Sequence, residues 1–366
     1  MSPKTRRTLK ISLGTVVVLA VAAISVTAIP AISIGGRNAS GFDLPAAKVT
    51  NPEAVREAYA YLPRTRFDAF VALKDAKLLA RWGDTDLPIN THSVRKSLLS
   101  ALYGIAIEKG YLRLDQTLAE LGIDDKAVPL TPIEKTATIR DLLESRSGIY
   151  IEAAGEAKGM KDGRPRRGAH RPGEAFYYNN WGFNVLGVIF EQRTGLGIGQ
   201  ALYEWIARPT GMTTFKPGHV IYEQPRYTEH RQFIVFMSAA DLARFGALYA
   251  NGGRWGDVQV VPEAWVEEST KAYSDVTGMD PFDAYGYLWW IDRDADVIWA
   301  DGWGGQFMIV DAKRHLVLVS RNDTGRSLLQ LGWFILFDGD GWRSHHQKLH
   351  QLMIAASEGA RETEAQ

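Results

Sequence analysis

Two blocks of strand-like sequence lie far apart in this chain, and the stretch between them is patterned mainly as helix. The first block is Phe67-Asp68-Ala69-Phe70-Val71-Ala72-Leu73 and Lys77-Leu78-Leu79-Ala80-Arg81-Trp82, flanking Lys74-Asp75-Ala76, which reads as a β-hairpin. The second is Tyr285–Ile291, Val297–Ala300, Gln306–Val310 and Leu316–Ser320, rich in aromatic and β-branched residues. Asp292–Asp296 and Asp311–His315 separate three of these as turns. A hairpin, then helices, then strands calls for one antiparallel sheet assembled from both ends of the chain. Helices flank it, and a mainly helical lobe is inserted between its halves, which makes the chain α+β.

The intervening helices have legible ends. A short helix is expected over Asn51–Tyr61. Leu98, Leu99, Leu102, Ile105 and Ile107 mark a largely buried helix that starts at Ser93 and stops near Gly110. Thr138–Leu143 starts a short helix, and Trp181–Gln192 is too apolar for an exposed one. Ser238-Ala239-Ala240-Asp241 supplies a side-chain N-cap with an acid three residues on, and Asn251-Gly252-Gly253 stops that helix. His345–Ala356 reads as a closing helix.

The N-terminus reads as a targeting segment. Lys4, Arg6, Arg7 and Lys10 form a basic region at 1–10, and no residue from Ile11 to Ile34 is charged. At about 1.5 Å per residue that stretch is long enough to cross a bilayer core. The expectation is an uncleaved signal anchor at 11–34, with the remainder outside a bacterial inner membrane, periplasmic or extracellular. If the segment is cleaved, the protein is secreted or periplasmic. Residues 35–60 then form a tether and short helix, 61–356 the main domain and 357–366 a polar tail. Lys+Arg and Asp+Glu both number 42, so no net charge draws the chain to nucleic acid. The absence of cysteine excludes disulfides, thiolate catalysis and cysteine zinc sites.

Within the buried helix, Ser93-Val94-Arg95-Lys96 places a hydroxyl and an amine on one face, at the helix start. Those residues can supply a nucleophile, a base and, through free N–H groups, part of an oxyanion hole. It is the one S-x-x-K in the sequence. Two further stretches accompany it: Pro172–Gly182, containing Tyr177-Tyr178-Asn179-Asn180, and Gly302-Trp303-Gly304-Gly305-Gln306 at the start of a strand.

With these three stretches in this order, the chain resembles the serine hydrolases of the β-lactamase and penicillin-binding-protein superfamily, with a β-lactamase/transpeptidase-like fold. Class C β-lactamases, D-amino-acid peptidases and β-lactamase-like carboxylesterases are the nearest in pattern. Pro172–Gly187 and Met237–Ser269 carry supporting matches, and Leu142–Gly148 stands where many members have L-L-T-H-T-S-G. The resemblance implies that Ser93 is the nucleophile and that Lys96 and Tyr178 share the proton work, with the base left open between them. Gly182 and Phe183 select Tyr178-x-Asn180 over Tyr177-x-Asn179, leaving Tyr177 for packing. Tyr249-x-Asn251 reads as structural. Asn180 would orient Lys96 or hold a substrate amide. Trp303, Gly304 and Gly305 would be the strand triplet, the two glycines letting substrate approach. The backbone N–H of Gln306, with that of Ser93, would form the oxyanion hole.

Trp303 stands where the family opens its triplet with lysine or histidine. An indole has no charge to offer a carboxylate, so esters or uncharged amides are expected before β-lactams. The implied function is hydrolysis through an acyl-enzyme, on a small ester, amide or peptide, with no cofactor. The alternatives are a peptidase or carboxypeptidase acting on cell-wall-derived peptides, and a sensor acylated without turnover. Trp181, Trp289, Trp290 and Trp303 suit either an apolar acyl pocket or the core. His345, His346 and His350 read as a solvated helix face, and Gly163-Arg164-Pro165-Arg166-Arg167 as a solvated loop. Asp292-x-Asp294-x-Asp296 and Asp338-Gly339-Asp340 read as turns rather than calcium loops. No metal site is expected.

Overall fold

A computed structural model describes residues 43–325 and 341–358 of the chain. The basic region, the uncharged stretch Ile11–Ile34, Asp338-Gly339-Asp340, most of the polar tail and part of the tether lie outside the described residues. Among those described, no helix is long and apolar enough to cross a membrane.

The first helix, α1 (Pro52–Thr65), starts where Asn51 accepts hydrogen bonds from the Glu53 and Ala54 amides, with Pro52 pre-set for the first turn. The hairpin follows as β1 (Ala69–Lys74) and β2 (Lys77–Gly83). Its turn puts Asp75 and Ala76 both at positive φ, as a two-residue loop with the right twist requires. A two-residue strand, β3 (Ile89–Asn90), leads through a helical turn at His92–Val94 into α2 (Arg95–Glu108). From Arg95 to Ala106 every residue of α2 is buried, so its apolar residues show no single stripe.

The inserted lobe contains α3 (Ile139–Leu143), α4 (Lys158–Asp162), α5 (Asn180–Thr194) and α6 (Ile198–Ala201). Thr138 and Asp141 form a reciprocal capping box at α3. The strands β4 (Val220–Glu223) and β5 (Gln232–Met237) join β3 in a three-stranded sheet that the sequence pattern did not suggest. Gln232–Met237 is buried throughout, so it lacks the alternation that marks a half-buried strand. The helix α7 (Ala239–Ala250) is capped by Ser238, as expected. Asp241 there is fully buried and accepts hydrogen bonds from the Thr213, Thr214 and Phe215 amides.

A small hairpin, β6 (Arg254–Trp255) with β7 (Val258–Gln259), and α8 (Glu263–Ser269) lead to the second strand block. This block holds β8 (Ser274–Met279), β9 (Phe282–Tyr285), β10 (Trp290–Asp292), β11 (Val297–Gly302), β12 (Gln306–Asp311) and β13 (Leu316–Arg321). The stretch Tyr285–Ile291 is therefore not one strand. It breaks at Gly286–Trp289, where Leu288 takes a φ of 65° and the Gly286 amide bonds to the Trp289 carbonyl.

The eight strands of the main sheet run β2-β1-β13-β12-β11-β10-β9-β8. The antiparallel pairing of β1 with β13, from Ala69 opposite Arg321 to Lys74 opposite Leu316, joins the two blocks as expected. One face of β12 and β13 packs on α7. The other meets the last helix, α9 (Gly341–Glu358), through Phe307 and Ser320 against His346.

That last contact corrects the reading of the histidines. His346 and His350 are buried, and His345 is partly so. His346 Nδ1 lies 2.7 Å from Ser320 Oγ, and His350 Nε2 lies 3.1 Å from Asp311 Oδ2. They share a helix face with Leu349 and Met353, both fully buried, so this face turns to the sheet. The basic loop is also more tied down than a solvated one: Arg164 pairs with Glu156, and Arg167 with Glu134 at 2.6 Å. Asp292 takes part in a turn, accepting from the Ala295 amide at 2.9 Å.

Candidate active site

The entry to α2 sets the site. Strand β3 ends at Asn90, whose side chain accepts the His92 amide at 2.8 Å. His92 then takes a left-handed φ of 45°, a conformation that costs a side-chain-bearing residue on the order of 1 kcal/mol or more. This bend turns the chain sharply into the helical turn that carries Ser93. Ser93 keeps partial exposure while Lys96, three residues on, is 2 % exposed.

Lys96 Nζ lies 2.8 Å from Ser93 Oγ and 2.8 Å from Tyr178 Oη. The three residues placed together from sequence therefore meet in space, and the Tyr178 register is the one that does so. Tyr177 instead donates its hydroxyl to the Met160 carbonyl at 2.6 Å, and Asn179 caps α5 through the Trp181 amide. Tyr249 is buried and Asn251 stands at the end of α7, as a structural pair would. The Lys96 ammonium position is walled by rings, 4.5 Å from the centre of Tyr178 and 4.7 Å from that of Phe183.

Electrostatics follow from this burial. Desolvation, then the Arg95 charge, push the Lys96 amine well below its ordinary range, with Asp301 opposing. Desolvation raises the Tyr178 phenol, against its hydrogen bond with Ser93 and the Arg95 charge. Burial therefore disfavours the charged form of each, the ammonium of Lys96 and the phenolate of Tyr178. Asn180 donates to the Gly155 carbonyl at 2.6 Å and not to Lys96; its Oδ1 is buried with no hydrogen-bond partner.

The third motif sits differently from its reading in sequence. Gly304 and Gly305 have φ of 76° and 80°, which a β-strand does not accommodate, so Trp303-Gly304-Gly305 forms the turn between β11 and β12. A β-carbon on Gly305 would fall 2.4 Å from Asn322 Nδ2, so this glycine admits the protein's own side chain rather than substrate. The close approach to Ser93 belongs to Gly302, at the end of β11. A β-carbon there would meet the Ser93 nitrogen at 3.2 Å, the Thr91 carbonyl oxygen at 2.7 Å and Gln306 Cβ at 3.0 Å. Ala300-Asp301-Gly302 is thus the strand segment beside Ser93. Gln306 faces Gly302 across the ladder and is fully buried. Its amide group donates to the Gly304 and Asn322 carbonyls and accepts from Arg321 Nε at 2.6 Å.

Three residues of this neighbourhood were given no role from the sequence: His92, Arg95 and Asp301. His92 packs edge-on against Trp303, with ring centres 5.3 Å apart. Asp301 pairs with Arg343 Nε of α9 at 2.8 Å. Arg95 stood in plain view inside the S-x-x-K itself. Of the four tryptophans, Trp181 and Trp289 belong to the core, while Trp290 stacks on the Tyr178 ring at 5.1 Å.

The comparisons agree with this architecture. The chain is similar to a protein described as a 6-aminohexanoate-dimer hydrolase from Bacillus anthracis: 18% identity over 83% of each chain, TM-score 0.60. It is similar to a β-lactamase from Mycobacterium bovis at 22% identity, over 81% of this chain and 99% of that one, TM-score 0.55. A penicillin-binding protein homologue from Pyrococcus abyssi aligns at 16% identity over 79% and 78% of the two chains, TM-score 0.51. At such identities these likenesses speak for the fold. No curated protein sequence matches. The model of the family described as Beta-lactamase matches residues 49–357. That span takes in the nucleophile turn, the helical lobe and the whole main sheet, and the chain belongs to the Beta-lactamase family.

Proposed function

We propose that this protein is a serine hydrolase that cleaves small esters or uncharged amides through an acyl-enzyme on Ser93. The observation that carries the reading is the position of Lys96 Nζ, 2.8 Å from both Ser93 Oγ and Tyr178 Oη. A buried free amine accepts the Ser93 proton as Oγ attacks the substrate carbonyl. The oxyanion that forms is received by the Ser93 N–H and by an amide of the turn after Gly302, which the Gly302 gap lets come close. Each such donor is worth about 3 kcal/mol in the transition state. Tyr178 passes a proton to the leaving group as the carbonyl re-forms and the leaving group departs. Water then attacks the acyl carbonyl, with the same pair taking its proton, and Ser93 is released.

Substrate class is read from what stands at the strand end. Neither Ala300 nor Trp303 brings a cation there, so a carboxylate-bearing β-lactam lacks the partner that lysine or histidine would give it. Likeness to a protein described as a 6-aminohexanoate-dimer hydrolase keeps amides beside esters in the proposal. The uncharged stretch Ile11–Ile34 is the basis for placing this chemistry outside a bacterial membrane.

The test is turnover of a short-chain nitrophenyl ester and its anilide by the full-length protein, wild type beside Ser93→Ala. Steady turnover lost in the mutant is the expected result. A single stoichiometric burst without turnover would replace the hydrolase with an acylated sensor, and equal rates in both proteins would remove Ser93 as nucleophile.

A further inference from the structure

Arg95 is buried, 6 % exposed, in the first turn of α2 between the nucleophile and the base. Its Nη1 donates to the His92 carbonyl at 3.3 Å, and its guanidinium carbon lies 5.1 Å over the Phe233 ring. Nε and Nη2 are buried with no hydrogen-bond partner, and no carboxylate pairs with Arg95 among the described residues. Other buried arginines have stronger partners. Arg244 pairs with Asp43, and Arg321 donates to three carbonyl oxygens, of Met237, Ile89 and Asn90, and to the Gln306 side chain. An under-compensated buried cation costs several kcal/mol, so a chain that keeps one needs a reason for it.

We propose that Arg95 is a positioning residue for the proposed reaction, a fixed buried positive charge that holds Lys96 as the free amine able to take the Ser93 proton. The inference rests on the acyl-enzyme reading above. Around Lys96 stand the Ser93 hydroxyl, the Tyr178 phenol, the Phe183 ring, His92 on the preceding turn and Asp301 on β11. Asp301 is the one acid among them, and Arg343 answers its charge. The local balance is therefore positive before Lys96 adds a proton, and a second cation in this dry pocket would face a like charge it cannot leave. His92 reports the same field, held down to about 3 by burial and then by Arg95. Arg95 itself, lowered by burial to about 10, still carries its charge at neutral pH. Met at position 95 would fill similar space without the charge and need not destabilise the fold.

The experiment measures the rate of Ser93 phosphonylation by a fluorophosphonate probe against pH, read by intact mass on the full-length protein. Wild type is compared with Arg95→Met, Arg95→Gln and Arg95→Lys. In the neutral variants the acid limb should move up by about one pH unit, a roughly tenfold loss on that limb that closes at alkaline pH. Arg95→Lys should keep the wild-type limb. A folded neutral variant with an unmoved limb would overturn the inference. So would an equal loss at every pH, or unfolding of both neutral variants, either of which would make Arg95 a packing residue. Ser93→Ala runs beside them: an adduct persisting there would defeat the acyl-enzyme reading itself, whatever the limb does.

Discussion

Gly302 makes room for the backbone of Ser93. The Ser93 nitrogen stands 3.2 Å from where a Gly302 β-carbon would be, and the Thr91 carbonyl oxygen only 2.7 Å. The second contact is shorter than β-carbon contacts run in folded proteins, so Gly302→Ala must push β11 and the nucleophile turn apart. The expected outcome is loss of at least about a hundredfold in turnover, the scale of losing one oxyanion donor. Fluorophosphonate labelling of Ser93 should fall with it, while circular dichroism still reports a folded protein.

In the proposed reaction Lys96 and Tyr178 handle protons together, and their removal should differ in degree. Lys96→Ala deletes the amine next to the nucleophile and should lower the acylation rate by about a thousandfold. Tyr178→Phe keeps the ring stacked on Trp290 and removes only the hydroxyl, for a loss of about a hundredfold. Both figures lie in the range typical of general acid–base groups. Because the two groups act together, the double variant should be little worse than Lys96→Ala, which single-turnover kinetics would measure.

Arg321 is 1 % exposed and ties β13 to the small sheet through the Ile89, Asn90 and Met237 carbonyls and to Gln306. Arg321→Met leaves these buried acceptors without their donor, each at about 1–3 kcal/mol. Urea unfolding should show a loss of at least about 3 kcal/mol. It should also show lower activity below the transition, since Gln306 lines the turn beside Ser93.

Acid should destabilise the fold through buried His346. Burial, then the neighbouring His350, hold His346 down to about 3 in the folded protein, while the unfolded chain protonates near 6.5. The folded value lies below the unfolded one, so the unfolded state takes up the proton first. Stability is full above about pH 6.5 and falls as pH drops toward 3, by about 1.4 kcal/mol per pH unit for this group. His346→Gln should flatten that slope in urea titrations between pH 7 and 5. A slope unchanged from wild type would assign the acid sensitivity elsewhere.

What the sequence made legible was local. The β1–β2 hairpin, the helix start at Thr138, the Ser238 cap and the Ser93-x-x-Lys96 pair depend on residues a few positions apart, and each stands where its pattern placed it. The joining of the two strand blocks was also foreseeable, because the sequence between them reads mainly as helix; that β1 and β13 are the strands that meet was not. Features decided by tertiary burial were not readable in the same way. Gln232–Met237 shows no alternation because both its faces are covered, and Gly286–Trp289 looks like strand until Leu288 turns left-handed. The polar character of the α9 histidines suggests a wet face, although His346, Leu349, His350 and Met353 keep helical spacing, the usual mark of a buried stripe. The third motif drew the eye to Trp303 and its glycines, while the contact with Ser93 falls to Gly302. No spacing rule separates a glycine that admits substrate from one that admits Asn322.

The pairing of Ala69 with Arg321 also has a bearing on the protein's synthesis. Ser93, Lys96 and Tyr178 leave the ribosome early, but β11 takes its place only between β10 and β12, and β12 leans on β13, which leans on β1. Until Arg321 has emerged, the nascent chain holds Ser93, Lys96 and Tyr178 without the paired strands that stand beside Ser93. Contacts this distant in sequence also form slowly. On this topology the proposed catalytic centre is incomplete in an unfinished chain, whose Ser93 would lack its neighbouring strands.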